Sequence, residues 1–238
     1  MLANMSDPMT IMAGAGWLSG QPTSFRSRVV TLSRLRHYRA GQQICGIGDP
    51  PGDLFGLVDG ELSVMISPEE SAPILVHVAT PGWWIGEAAL MTDTPRRVTM
   101  TARRPSTLLA LSPTAVRQLA GEDPETWRRL ACITVGHLDH ALSVIATLTA
   151  TDPRIRVAVA LRRAVRLTGG APTAAIIHVS QDELGELARL TRNALRPVLV
   201  ELEGLGLIRR GYRRIEIPDT AALARFARGL SDEPKRFG

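Results

Sequence analysis

Between Leu35 and Leu111 the chain consists of short apolar runs separated by Gly, Pro and Asp. Each run has the length of one strand, and the residues between the runs are typical of turns. The runs are Leu54–Val58, Leu62–Ile66, Ile74–Val78, Val98–Thr101 and Thr107–Leu111. Many short strands of this kind predict a β-barrel or jelly roll in the N-terminal half.

After this region the apolar pattern becomes helical. A short helix is predicted over residues 112–120, and a longer one over 123–149. Apolar positions on the longer helix recur in alternating steps of four and three residues, which is typical of a coiled-coil seam. The seam residues are Trp127, Ala131, Thr134, Leu138, Ala141, Ile145 and Leu148.

We expect this seam to join two copies of the chain in a homodimer. The alternative is an amphipathic helix that packs only on its own barrel. Leu130, Ile133, Leu142 and Val144 widen the apolar surface, so one helix has enough of it to do both.

A second pair of helices is predicted after a break at residues 151–153. Ser180 and Glu183 have the spacing of a capping box, and Thr191 caps a second helix that ends near Gly204. This spacing predicts a helix-turn-helix. Two short strands around Gly211-Tyr212 then form a wing. The alternative is an ordinary helical hairpin followed by a solvated β-hairpin.

Charge is unevenly distributed between the two halves. From residue 153 onward there are 16 Lys and Arg against 9 Asp and Glu, a net charge of +7, whereas residues 1–152 carry −2. Together with the helix-turn-helix, this predicts double-stranded DNA as the partner. The predicted DNA contacts are Ser180, Thr191, Arg192, Asn193, Arg196, Arg209, Arg210, Arg213 and Arg214. Pro197 lies inside the second helix, where we expect it to bend the helix rather than break it.

The combined pattern resembles the Crp/Fnr transcription regulators over residues 33–217. Gly48-Asp49 and residues 54–60 are similar to the first part of the family's cyclic-nucleotide-binding-like barrel. The resemblance implies an α+β fold with an N-terminal β-barrel or jelly roll, a long dimerisation helix and a C-terminal winged helix-turn-helix. The expected domains are 1–122, 123–150 and 151–238. It also implies a homodimer that binds palindromic DNA and contacts RNA polymerase.

Gly86-Glu87 and Arg97 resemble the family's phosphate-binding cassette. In members that bind cyclic AMP, the glutamate matching Glu87 holds the ribose hydroxyl and the arginine matching Arg97 holds the phosphate. Arginine suits that role, since its planar fork donates paired hydrogen bonds to a phosphate. The effector contacts that the resemblance implies are Gly86, Glu87, Ala88, Arg97 and Val98.

The cassette departs from the family pattern in three places. The family has Ser or Thr at the position of Val98. In cyclic-AMP-binding members, the positions that contact the purine align with Asp139-His140. Large rings lie beside the cassette at Trp83-Trp84. Cyclic AMP or another small effector is expected. Two alternatives stay open: Glu87 and Arg97 form an internal ion pair without a ligand, or the barrel is only the dimer scaffold of an effector-independent regulator.

Other chemistry is disfavoured. Residues 1–44 contain no cysteine, so no iron–sulfur cluster is expected, and Cys45 and Cys132 are predicted to be reduced core thiols. A cupin-like metalloenzyme would need several barrel histidines, and only His37 and His77 lie there, so no enzymatic activity or metal is expected. With no membrane-length apolar run and no signal peptide, we expect a cytoplasmic protein.

Overall fold

The computed structural model describes residues 12, 14, 16–67, 72–148, 150–166 and 173–228. Its N-terminal part contains two four-stranded antiparallel sheets, with strand orders β1-β8-β3-β6 and β2-β7-β4-β5. The elements are α1 (Gly16–Ser19), α2 (Thr23–Leu32), β1 (Arg34–Tyr38), β2 (Gln43–Cys45), β3 (Leu54–Asp59), β4 (Leu62–Ile66), β5 (Ile74–Ala79), β6 (Trp84–Ile85), α3 (Glu87–Thr92), β7 (Thr99–Ala102), β8 (Ser106–Leu111) and α4 (Pro113–Glu122).

The inner faces of these strands form the core of the barrel. Leu57, Leu62, Met100 and Leu108 are buried in one cluster. These residues are buried because every second side chain along a strand points to the same face of a sheet. The predicted β-barrel or jelly roll is confirmed.

A single long helix, α5 (Glu125–Leu148), follows the barrel. Leu130 and Ile133 on one of its faces are buried in a core cluster with barrel residues. The indole N–H of Trp17, near the N-terminus, donates to the carbonyl of Arg129 at 2.8 Å and ties α1 to the helix. Cys132 lies exposed on α5, so the prediction of a core thiol is wrong there and holds only for the buried Cys45.

The C-terminal part combines helices with a three-stranded sheet of order β10-β11-β9. Its elements are α6 (Pro153–Arg166), β9 (Ala175–Ile177), α7 (Gln181–Ala188), α8 (Arg192–Gly204), β10 (Arg209–Gly211), β11 (Arg214–Ile217) and α9 (Thr220–Ala227). Leu161, Leu184, Leu199 and Ile217, from four of these elements, share one buried cluster. The helix-turn-helix and its wing are confirmed, and β9 is an additional strand that the sequence pattern did not predict.

The chain divides into two compact units within α5, between Ala141 and Leu142. The long helix ends at Leu148 and the next begins at Pro153. The domain bounds 1–122, 123–150 and 151–238 stay predictions.

Helix α8 continues through Pro197 without a break. Proline has no N–H to donate, so the carbonyl of Asn193 loses its usual helical partner four residues later. Leu195, Val198 and Leu199 beside the proline are all buried. Their burial opposes the cost of an internal proline, which is about 3 kcal/mol.

Candidate DNA interface and effector site

The helix-turn-helix begins with the predicted capping box. The Ser180 hydroxyl accepts a hydrogen bond from the backbone N–H of Glu183 at 3.2 Å, and the Glu183 carboxylate accepts one from the N–H of Ser180 at 2.8 Å. The Thr191 hydroxyl accepts from the N–H of Ala194 at 3.3 Å and caps α8. These bonds fix the start of both helices, so Ser180 and Thr191 act structurally, and a DNA contact by either residue stays a prediction.

Helix α8 presents a polar face to solvent. Arg192, Asn193 and Arg196 are exposed, whereas Leu195, Leu199 and Leu202 of the same helix are buried. Arg192 Nε lies 3.9 Å from a carboxylate oxygen of Asp182. Since both side chains are mostly exposed, that pair is weak and leaves the guanidinium available.

The four wing arginines fall into two pairs. Arg210 is held by Glu203 of α8, whose carboxylate accepts its backbone N–H at 2.9 Å and its Nε at 2.6 Å. Nη1 of Arg209 lies 3.3 Å from Oε1 of Glu216 on the neighbouring strand. Both pairings join residues seven positions apart, a separation that sequence reasoning did not consider.

Arg213 lies in the turn of the wing and Arg214 begins its second strand, and both are exposed. Arg213 has a left-handed backbone with φ of 52°, which makes the tight turn of the hairpin. Tyr212 beside it is 92% exposed. Arg213 and Arg214 therefore contribute outward positive charge to the wing, whereas Arg209 and Arg210 each pair with an acid. DNA contacts by all four arginines stay predictions.

The cassette begins at a glycine turn between β6 and α3. Gly86 has φ of 115°, and a Cβ atom there would lie 2.3 Å from Nη1 of Arg96. Only glycine fits this turn, because a side chain would be both strained and blocked. Arg96 is 7% exposed, and its Nη2 donates to the carbonyl of Asp53 at 2.7 Å.

The arginine that lies against Gly86 is Arg96, not Arg97, whose side chain is exposed. The reason lies in the backbone. The N–H of Arg96 donates to the carbonyl of Asp49 at 2.8 Å, and its carbonyl accepts from Gly48 at 2.9 Å. This extended pairing turns Arg96 inward and its neighbour outward. Arg96 is therefore the arginine that lies at the Gly86 turn, and an effector contact by Arg97 stays a prediction.

Glu87 is 2% exposed, and its partners come from α5 rather than from Arg97. Its Oε1 accepts from the Thr134 hydroxyl and from His137 Nδ1, both at 3.1 Å, and its Oε2 accepts from the N–H of Gly86 at 3.0 Å. The alternative of a Glu87–Arg97 ion pair is therefore wrong. Ala88 and Val98 are half-buried next to this site, and their effector contacts stay predictions.

A stack of rings lies beside the carboxylate. The Trp83 indole stacks with His77, with ring centroids 3.9 Å apart, and with His137, with centroids 4.8 Å apart. His140 meets His77 edge-on at 4.8 Å, whereas Asp139 is exposed. Sequence reasoning treated each histidine singly, although His137 and His140 lie one helical turn apart. Among the described residues, no group of three or more His, Cys, Asp or Glu is arranged to hold a metal ion.

Helix α5 also carries exposed apolar residues. Trp127, Val135, Leu138 and Ile145 are large and exposed, with Leu138 at 55%. Ala141 is also exposed and Ala131 is half-buried, whereas Thr134 directs its hydroxyl to Glu87. The side chain of Leu148 lies outside the described residues. The dimer seam stays a prediction, with Val135 as an apolar neighbour that the original spacing missed.

Two segments of the chain match known families. Residues 35–123 match the cyclic nucleotide-binding domain, and residues 155–226 match the Crp-like helix-turn-helix domain. The chain belongs to the Crp/Fnr family. It is a DNA-binding transcription regulator with a cyclic nucleotide-binding domain.

Relatives of this family resemble the chain over most of its length. The CRP-like cAMP-activated global transcriptional regulator of Mycobacterium tuberculosis (strain ATCC 25618 / H37Rv) is 22% identical over 221 residues, 92% of this chain and 99% of the relative. The cyclic AMP receptor protein of Thermus thermophilus is 28% identical over 196 residues, 82% of this chain and 89% of the relative.

Solved structures show the same fold. FixK2 from Bradyrhizobium japonicum has a TM-score of 0.70 at 20% identity, covering 85% of this chain and 98% of its own. CLP from Xanthomonas campestris is described as responsive to c-di-GMP. It has a TM-score of 0.63 at 22% identity, covering 82% of this chain and 99% of its own. Within the described ranges, no helix has the length and apolar character needed to cross a membrane.

The pairing of Glu87 with the long helix predicts a pH-dependent stability. Burial alone would raise the pKa of Glu87, but the hydrogen bond and charge of His137, with the Thr134 hydroxyl, outweigh it and leave the pKa below its ordinary value of 4.5. A folded pKa below the unfolded one stabilises the fold above the unfolded value, and this stability is lost as pH falls through the folded value.

Glu87→Gln removes that contribution. We expect its free energy of unfolding in urea to fall furthest below wild type at pH 7, and the two curves to converge as pH drops below 4.5. Asp139→Asn, an exposed change on α5, should follow wild type throughout. If the free energy of unfolding of Glu87→Gln differs from that of wild type by the same amount at pH 7 and at pH 4, the assigned pairing is contradicted.

Proposed function

We propose that the protein is a homodimeric regulator that reads a palindromic DNA site and is gated by a small effector in the barrel. The exposed polar front of α8, set on a helix-turn-helix beside a basic wing, is the observation that carries the DNA-reading part. Contact with RNA polymerase and a place in the cytoplasm follow from membership of the family.

Base recognition falls to the front of α8. Arginine can donate two hydrogen bonds to O6 and N7 of guanine, and asparagine can pair with N6 and N7 of adenine. Arg192 and Asn193 are exposed at the first turn of the helix, with Arg196 one turn later. Two copies related by a two-fold axis would read half-sites about one helical turn of DNA apart.

Arg192→Ala tests this assignment. It should weaken binding to the preferred site by about 1–3 kcal/mol and relax the preference at one position of each half-site, since a base contact is lost. Binding to a panel of single-base variants of the operator measures this. If the ranking of sequences is unchanged in Arg192→Ala, the recognition element lies elsewhere.

The wing is proposed to hold phosphates through Arg213 and Arg214. Arg213→Ala should weaken all DNA sequences alike and lower the slope of log affinity against log salt by about one, because one phosphate contact is lost. Arg210→Ala is the matched control: its guanidinium is held by Glu203, so the salt slope should stay near wild type. An equal loss of slope in both variants would contradict the division of the wing.

Dimer formation is assigned to the exposed apolar face of α5. In Leu138→Glu/Ile145→Glu, like charges would meet across the two-fold axis, and sedimentation equilibrium should show a shift toward monomer. Asp139→Ala, at an exposed position beside the seam, should leave the mass unchanged. A double variant that remains a tight dimer would place the interface on another surface.

The effector is proposed to be a small molecule that carries an anionic group. Its anion would meet Arg96 and the Gly86 turn, and its hydroxyl would meet Glu87. The relative from Mycobacterium tuberculosis is named as cAMP-activated and CLP as responsive to c-di-GMP, which supports a nucleotide without choosing one. Calorimetry with cyclic nucleotides, alongside DNA binding with and without them, tests the gating.

A regulator whose barrel is only a dimer scaffold is the second candidate. It is favoured by one observation: the carboxylate of Glu87 is already bonded by its own chain. DNA binding that is tight without any nucleotide, and unchanged in Arg96→Ala, would support this candidate over gating.

A further inference from the structure

The partners of Glu87 account for most of what the carboxylate can accept. An ionised carboxylate has about four acceptor sites on its two oxygens. Three are filled, by Thr134, His137 and the N–H of Gly86. The side chain is also 2% exposed, so a hydroxyl from outside the chain cannot reach it while these contacts stand.

Two of the three donors come from one turn of α5. Since an ionised carboxylate only accepts hydrogen bonds, the proton in the His137 contact lies on Nδ1. The ring of His137 is oriented by the Trp83 indole, to which it lies nearly parallel at 23°. His77 also stacks on that indole, at an interplanar angle of 28°. The rings hold His137 in the orientation that its bond to Glu87 requires.

We propose that His137, with Thr134, occupies the place at Glu87 that a ligand hydroxyl would take, so that an effector binds by displacing them. This inference rests on the proposed effector site and defines the chemistry of its ligand: a hydroxyl for Glu87 close to an anionic group for Arg96. His137 is then a positioning residue, which keeps the site closed until a ligand supplies a substitute donor.

Displacement has a direct effect on the long helix. The Thr134 hydroxyl and the His137 imidazole hydrogen-bond α5 to the cassette. Leu138 of the proposed seam follows His137 in the chain. A ligand that takes Glu87 therefore breaks both bonds beside Leu138, within the exposed apolar face. Site occupancy and the position of the dimer helix are linked through two side chains.

The test measures binding of cyclic AMP and cyclic GMP by calorimetry to the full-length protein and its variants. His137→Ala and Thr134→Val each remove a competing donor, so affinity for the nucleotide that binds should rise by roughly tenfold, the worth of one hydrogen bond to a charged group. His137→Asn retains an N–H donor and should return affinity toward wild type. Cys132→Ala, at an exposed position on the same helix, should bind as wild type does.

Urea unfolding of each variant shows whether it is folded, and Thr134→Val keeps the test decisive if His137→Ala is not. Unchanged or weaker affinity in both donor-removing variants overturns the proposal, as does the absence of nucleotide binding in every variant. Operator binding and sedimentation on the same samples report on the proposed function separately: a dimer that binds its operator while the affinities fail to rise leaves that function intact and removes only the displacement.

Discussion

The ionised carboxylate of Glu87 is the constraint on which the arrangement of the barrel half depends. A charge that water cannot reach has to be hydrogen-bonded within the protein, or the folded state loses several kcal/mol. Two of its donors lie on α5, so the helix has one rotation in which they can reach the cassette. That rotation determines which apolar residues of α5 are buried with the barrel, such as Leu130 and Ile133, and which are exposed, such as Leu138. The exposed apolar face of the helix is thus set by the same rotation that brings Thr134 and His137 to Glu87.

The features that could be predicted from the sequence are those decided within a few residues. The capping box at Ser180 and Glu183 needs only their spacing and the geometry of a first helical turn. The wing hairpin and the start of α6 at Pro153 are equally local. Strand positions in the barrel follow from short apolar runs separated by Gly, Pro and Asp. Strand β9 was missed because it has only three residues and pairs with β11 from far along the chain.

The site residues are harder to predict because distant segments decide them. Arg96 and Arg97 are indistinguishable by type, and backbone bonds to Gly48 and Asp49 determine which one turns inward. The side-chain partners of Glu87 lie 47 and 50 residues away. The sequence suggested an arginine as the partner of this carboxylate, but in the structure the partners are a hydroxyl and an imidazole. Among the wing arginines, the acids that neutralise two of them lie on α8 and on the next strand.

The contact between Arg210 and Glu203 has a consequence for how DNA would be approached. Glu203 belongs to the last turn of α8, so the helix and the wing are joined by a charged hydrogen bond as well as by the chain. Their separation is then fixed before any DNA is met, and little conformational freedom remains to be lost on association. If the distance between α8 and the wing is fixed in this way, DNA binding depends on the width of the groove, because the two elements cannot move apart or together to match the duplex. Discrimination by DNA shape, as well as by base edges, is the property that such a joint would confer.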